Sequence, residues 1–326
     1  MTVDCAVCYV SNLNFLLPSL VSAAGARAFI PPHKADIFIF TAEVDPAQTA
    51  EIDRFAQPYS IRVQAMDENV FRRIDRTKFI RPDTPMAMFG RFFLHEFLPS
   101  SCRRIVYIDG DTWIRRDPSP LIDAQVPAGR FAAADDNIWL RQKLGFGATV
   151  HKTRQYFRKL GLKPENGYFN TGVFAAARDT WKNIAREAYE FYLAHPEDCQ
   201  FSQDQCALNA VAGGRRLRLS NKWNFQTQFK FWGADRFIEP HIYHFNRWPK
   251  PWMGACAPWE EFFPQYEKAI APFASLNLPI KKLSAGQAPE INASTRKTYG
   301  YLRWPLVSQM ALAGMGFGKL EKQSWL

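Results

Sequence analysis

Two hydrophobic spacings alternate along the first hundred positions. Residues 4–10 and 36–40 are short, dense apolar runs of the kind that make buried strands, and residues 59–63 are a third candidate. Between them, Leu17, Leu20, Val21 and Ala24 recur at helical spacing within residues 16–29. Asp45-Pro46 reads as a helix N-cap followed by proline at the first helical position. Thr84-Pro85 opens another such segment, with Phe89, Phe93 and Phe97 as its apolar stripe and Arg91 among these aromatics. Residues 105–108 and 131–134 predict further short strands, and 168–174 another, interrupted by polar Asn170 and a flexible Gly172. Asp179 is expected to cap a helix reaching about Leu193, and Ser202 a shorter one containing Asp204 and Gln205. This βαβα rhythm predicts an α/β fold with a largely parallel sheet.

The strand at 105–108 ends in Asp109-Gly110-Asp111. Side chains two apart on a strand point to the same side, so the two carboxylates converge. Like charges held together repel, and burial penalises both; a divalent cation relieves that cost, and oxygen ligands suit Mg²⁺ or Mn²⁺. A plain polar turn would account for Asp-Gly-Asp equally well. Further along, His244 follows a short apolar run, and Lys250 stands between two prolines flanked by tryptophans. If His244 joined the two acids, its imidazole would favour Mn²⁺ over Mg²⁺, with open positions for diphosphate oxygens and Lys250 as a further cation.

Composition narrows the class. Of 326 residues, 47% are hydrophobic and 15% aromatic, which suits a large globular core. No basic segment leads into a long apolar run at the N-terminus, and no stretch reaches the length of a spanning helix, so a cytoplasmic protein is expected. The six cysteines are scattered; Cys5 and Cys8 fall in the first strand without a second pair, and read as free buried thiols. The net charge is +10, and residues 281–326 carry seven Lys/Arg against two Asp/Glu. A basic balance points to an anionic partner. The aromatics form no recognised base-stacking module, so no nucleic acid is expected.

Several of these stretches, taken in order from residue 4 to about 252, resemble glycosyltransferase family 8. The resemblance is carried by residues 10–15, Arg91, Tyr107-Ile-Asp-Gly-Asp111, Asp136, Phe169-Asn-Thr-Gly-Val173 with Trp181, Asp204-Gln205, residues 220–224 ending in Trp-Asn, His244-Phe245, and Lys250-Pro-Trp252. It implies a GT-A fold, one α/β domain over residues 1–275 followed by a basic, aromatic extension at 276–326. It also implies a retaining hexosyltransferase that takes a UDP-hexose, glucose or galactose, to a glycan acceptor such as lipopolysaccharide or another bacterial surface glycan. By the same resemblance Asp109, Asp111 and His244 hold Mn²⁺, with Gly110 between the acids. Asn12, Asn14 and Phe15 lie by the nucleotide, Arg247 and Lys250 by the phosphates. Arg91, Asp136, Asn170, Asp204 and Gln205 surround the donor sugar, with Asp136, Asp204 and Gln205 as the catalytic set.

A retaining glycosidase sets two carboxylates about 5 Å apart, one as nucleophile. The family position facing the anomeric carbon is Gln205, a poor nucleophile, so a front-face displacement is expected, with Gln205 steadying the transition state and Asp204 fixing the sugar. Three positions depart from the family: Asn12 where many relatives have Asp, Cys206 for the last Asp of Asp-Gln-Asp, and Arg247 for a glycine. Arg247 is expected to add a phosphate-binding cation rather than block the backbone's approach. Arg296, Lys297, Arg303, Lys319 and Lys322, among Tyr299, Tyr301, Trp304, Phe317 and Trp325, suit an anionic membrane surface, placing the protein peripherally on the inner face. Alternatives are a packed C-terminal extension for the tail, a soluble glycan or protein acceptor, or a catalytically idle binding protein.

Overall fold

The computed structural model describes residues 3–72, 74–79, 84–143, 148–199 and 202–326. Its strands are β1 (Cys5–Ser11), β2 (Asp36–Thr41), β3 (Ile61–Ala65), β4 (Arg104–Ile108), β5 (Thr112–Ile114), β6 (Phe131–Asp135), β7 (Phe169–Ala177), β8 (Arg216–Leu219), β9 (Phe225–Gln226) and β10 (Ile242–His244). Seven form one sheet in the order β3-β2-β1-β4-β7-β6-β8. Only β7 runs against its neighbours; the other pairs are parallel. The sheet is thus mixed and mainly parallel, as the alternation predicted. Its inner strands are buried on both faces, as a parallel sheet covered by helices requires, while edge strand β3 exposes Arg62 and Gln64. Ligands of such sheets gather at the carboxyl ends of the parallel strands. Asp109 leaves β4 and Asp136 leaves β6 at that edge, and antiparallel β7 begins there with Asn170 and Thr171.

A second sheet, β5-β10-β9, was not foreseen. Its strands are two or three residues long, too short for a periodic signal. It sets His244 opposite Thr112 on one side and Gln226 on the other, and Phe245 N–H donates to Asp111 O at 2.8 Å. A histidine 133 positions beyond Asp111 is thereby fixed beside it.

Local corrections have local causes. The first helix is Leu13–Arg27, three residues earlier than its apolar pattern, because the Asn12 side chain caps it by accepting from Phe15 N–H. Asp45 does cap Pro46–Ala56. The strand expected at 59–63 is displaced to Ile61–Ala65, since Gln57–Tyr59 form a tight turn closed by Ser60 at φ +55°. The helix expected after Thr84-Pro85 is instead a 3₁₀ run, Met86–Phe92, and one α turn, Leu94–Phe97. Gly90 weakens that helix and lies directly on β1: a Cβ there would stand 2.5 Å from Val10 Cγ1. Asp179 is in the first turn of Arg178–Ala194, not at its cap, which Ala177 occupies. Cys5 and Cys8 are free and buried, as are the other four cysteines.

The C-terminal helices Gln287–Tyr299, Pro305–Gly314 and Phe317–Lys322 lie against the sheet domain. Phe317 packs on Phe229 and is buried, and Tyr299 stacks on Phe231 and is half-buried, so these two aromatics are spent at least partly on packing. Trp325 N–H donates to Arg218 O, and Leu326 O accepts from Ser220 N and the Trp223 indole. The Arg303 side chain lies outside the described residues. No helix among the described residues is long and apolar enough to cross a membrane.

Candidate active site

Asp109, Asp111 and His244 converge at the carboxyl edge of the sheet, with one ligand atom from each within 4.8 Å of the others. Each acid spends one oxygen on an anchor and offers the other. Asp109 Oδ1 accepts from the Tyr107 hydroxyl at 2.7 Å and from Arg91 Nη2 at 3.0 Å, while its Oδ2 faces His244 Nε2 at 3.6 Å. Asp111 Oδ2 accepts from Lys250 Nζ at 2.7 Å, and its Oδ1 faces the same Nε2 at 3.2 Å. Neighbouring positions on an octahedral ion with bonds of about 2.1 Å are about 3 Å apart. The spacing of these donors fits that requirement, as does their chemistry of two carboxylate oxygens and one imidazole nitrogen.

Two glycines make the convergence sterically feasible. A Cβ on Gly172 would stand 2.3 Å from His244 Cε1 and 2.8 Å from Asp109 Oδ2, so the reason for glycine there is space, not the flexibility expected from sequence. Its carbonyl also accepts from Asp109 N–H at 2.7 Å. Gly110 packs on the first helix, where a Cβ would meet Ser19 Oγ.

Charge at the site is balanced by burial and pairing. Burial works against ionised Asp111, yet Lys250 and His244 hold its carboxyl well below the usual range. Arg91 is buried, its charge opposed by desolvation but secured by Asp109, Tyr107 and Asp204. Its Nη1 donates to Thr171 O and Oγ1, and its Nε lies 3.0 Å from Asp204 Oδ2. Arg91 is therefore not a solvated helical charge; it joins the acid pair to Asp204. Burial pushes the Asp204 carboxyl up to about 6 against the pull of Arg91.

The wall beyond the acid pair is a network of neutral amides around Asp136. Asp136 Oδ2 accepts from Asn170 Nδ2 at 2.9 Å and Gln205 Nε2 at 3.1 Å, and burial raises its pKa. Gln205 Oε1 in turn accepts from Thr171 N–H at 3.1 Å. The adjacent Asp135 points the other way, to Arg216 at 2.8 Å and Arg218 at 3.0 Å, where it ties β6 to β8. Alternation along the strand thus separates a structural acid from one that lines the cleft.

Arg91, Asp109, Asp111, Asp136, Asn170, Asp204, Gln205 and His244 line one open cleft of about 480 Å³, together with Thr171, Arg141, Asn246 and Arg247. Arg247 is largely exposed and donates to Gln228 Oε1 at 2.6 Å. Phe15 packs edge-on against Trp252, 5.7 Å from Lys250 Nζ. Asn14 is exposed, and Asn12 is used as a helix cap. Cys206 does not face the cleft; it is buried against the Tyr156 and Tyr168 hydroxyls. Thr171, Arg141 and Asn246 had no sequence signal of their own. Asn224, which accepts from or donates to His244 Nδ1 at 2.8 Å, was visible only as the end of a Trp-Asn pair.

Known proteins share this architecture. The galactosyltransferase LgtC, solved in complex with donor and acceptor sugar analogues, superposes with a TM-score of 0.65 at 20% identity, covering 81% of this chain and 95% of that one. The bifunctional glycosyltransferase WbbM superposes with a TM-score of 0.63 at 17% identity, covering 83% of this chain and 50% of that one. At such identities the likeness is one of fold, the GT-A type. In sequence, General stress protein A of Bacillus subtilis (strain 168) is 28% identical over 234 residues, 66% of this chain and 76% of that protein. A Putative glycosyltransferase of Haemophilus influenzae is 23% identical over 199 residues, 60% and 55% of the two chains. Residues 6–256 match the family described as Glycosyl transferase family 8, a span that reaches from β1 past Lys250. The chain belongs to glycosyltransferase family 8.

Proposed function

We propose that this glycosyltransferase moves a hexose from a UDP-sugar, glucose or galactose, to a glycan acceptor with retention of configuration, and that Mn²⁺ assists. The observation that carries the reading is the meeting of Asp109 Oδ2, Asp111 Oδ1 and His244 Nε2 at the cleft, with Lys250 bonded to Asp111 beside them. A divalent ion there supplies positive charge beside the departing diphosphate. Imidazole in the donor set favours Mn²⁺ over Mg²⁺.

The remaining residues have roles consistent with their contacts. Lys250, on a loop between two prolines, exchanges its bond to Asp111 for phosphate oxygens when the donor binds. Asn14 and Phe15 border the nucleotide, and Arg247, exposed at the rim, meets the phosphates. Gln205 has its Nε2 held by Asp136 and its Oε1 turned by Thr171 N–H. An amide locked at both ends is a poor nucleophile but a well-oriented dipole for a positively charged sugar ring. Asp204 and Arg91 hold the sugar hydroxyls, and the acceptor loses its proton to the leaving phosphate on the same face.

The C-terminal helices support attachment to an anionic membrane. Trp304, Leu306 and Met310 are 59%, 74% and 74% exposed, with Tyr301 and Val307 beside them. Arg296, Lys297, Lys319 and Lys322, on the two flanking helices, are exposed as well. Exposed apolar side chains in a segment that also exposes cations suit an interfacial helix. That would put the cytoplasmic enzyme on the inner face of the membrane, beside a lipid-linked glycan such as a lipopolysaccharide precursor.

The test is a screen of UDP-sugars for UDP release with Mn²⁺, Mg²⁺ or chelator. One UDP-hexose should give Mn²⁺-dependent release that Asp109→Ala abolishes. Release equal in chelator, or none with any UDP-sugar, overturns the reading.

A further inference from the structure

Within that reading of the site, we propose that Asn224 is a positioning residue for the metal centre: its side-chain carbonyl keeps the hydrogen of His244 on Nδ1, so that Nε2 is the nitrogen offered to the ion. Asn224 is fully buried, and its Oδ1 lies 2.8 Å from His244 Nδ1.

The direction of each hydrogen bond follows from a group that cannot reverse its role. Gly172 N–H, a backbone group, can only donate, and it donates to Asn170 at 2.9 Å. That end of Asn170 is therefore Oδ1, and its Nδ2 is left to donate to Asp136 at 2.9 Å. The same Asn170 Oδ1 receives Asn224 at 2.8 Å, so the Asn224 end pointing there is the NH₂ group. What remains of Asn224 to face His244 is its carbonyl oxygen, an acceptor, and Nδ1 must carry the hydrogen. Nε2 is then the nitrogen whose lone pair opens toward Asp109 Oδ2 and Asp111 Oδ1. A ligating histidine commonly gives its other N–H to such a partner, and losing that partner weakens metal affinity by about 10–100-fold.

Asn224 is itself held in place from the C-terminus. It follows the turn Asn221–Trp223, and Glu321 accepts from Ser220 Oγ, Asn221 N and Asn221 Nδ2. The tail thereby braces the segment that delivers Asn224 to the metal site.

Two measurements test this. The first is ¹⁵N NMR of the metal-free, histidine-labelled wild type, with His244 assigned by loss of its signal in His244→Gln. Nδ1 should carry hydrogen across the pH range in which the protein is folded; a neutral imidazole with hydrogen on Nε2 overturns the proposal, whatever the enzyme's activity. The second is Mn²⁺ binding followed by the electron paramagnetic resonance of the free ion. Asn224→Ala should bind about 10–100-fold more weakly than wild type. Asn224→Asp, which still accepts from Nδ1–H but no longer donates to Asn170 Oδ1, should lose less affinity than Asn224→Ala. Equal affinity in wild type and folded Asn224→Ala, or equal loss in both variants, overturns the proposal. Should the wild type take up no Mn²⁺, it is the metal assignment that falls, while the NMR result still decides the role of Asn224.

Discussion

Lys250 Nζ and Asp111 Oδ2, 139 positions apart, meet at 2.7 Å, and the same ammonium reaches Phe245 O. The residue expected to neutralise a phosphate is thus paired with an acid of the proposed metal site. Two cations sharing one carboxylate would repel, so filling the site shifts Lys250 toward the diphosphate. Lys250→Met is expected to lower kcat by about 10²–10³, the cost of removing one charge-stabilising donor, while Mn²⁺ affinity holds or tightens. Steady-state kinetics beside a Mn²⁺ titration separate these; a parallel loss of both would make Lys250 a support for the metal instead.

Gly172 allows Asp109 and His244 to touch the backbone of β7. Gly172→Ala would place a Cβ 2.3 Å from the imidazole and 2.8 Å from Asp109 Oδ2, so one or both ligands must shift. Overpacking of this kind costs about 1–3 kcal/mol. The expected result is a lower melting temperature together with weakened Mn²⁺ binding. Wild-type Mn²⁺ affinity in this variant would show that the three ligands are not held as tightly as the geometry indicates.

Burial lifts Asp204 to about 6 from an ordinary 3.8, despite Arg91 beside it. The folded protein then keeps a proton that the unfolded chain has already released. The stabilising contribution of this group is complete below about 3.8 and is lost as pH rises through about 6, some 3 kcal/mol in all. Asp204→Asn does not titrate. In chelator, the stability of wild type minus that of Asp204→Asn should fall as pH climbs across this window, read by urea unfolding. A difference that is flat or grows with pH would contradict the raised pKa.

The apolar face of Pro305–Gly314 can be tested without disturbing the fold. Deleting the tail from about Ser294 would strip buried Met315, Phe317 and Leu320 from the body, so its effects would be mixed. Leu306→Glu with Met310→Glu instead changes two side chains that are 74% exposed. Sedimentation with phosphatidylglycerol vesicles should fall at least about tenfold, with UDP release onto water or a soluble acceptor unchanged. Unaltered vesicle binding would favour a soluble acceptor for this enzyme.

Arg91 shows how far sequence reasoning reached into the site. Its position in a family motif was plain, but its two carboxylate partners, 18 and 113 positions away, were not. Helical periodicity made it one face of an amphipathic segment; the 3₁₀ run turned it inward, over the Tyr107 ring and between Asp109 and Asp204.

Residue order alone determined six of the seven strands of the large sheet, all but the short, charged β8, and the placing of Asp109 and Asp111 at a strand's end, because apolar runs, caps and two-residue alternation are local properties of the chain. Tertiary structure decided what those acids face. A three-stranded sheet too short to leave a pattern carries His244 to them, Gly172 leaves room for the ring, and a chain of amides from Gly172 through Asn170 and Asn224 sets which nitrogen it presents. These are contacts between residues tens of positions apart, selected by packing and by the need of buried polar groups for partners, and no local spacing encodes them.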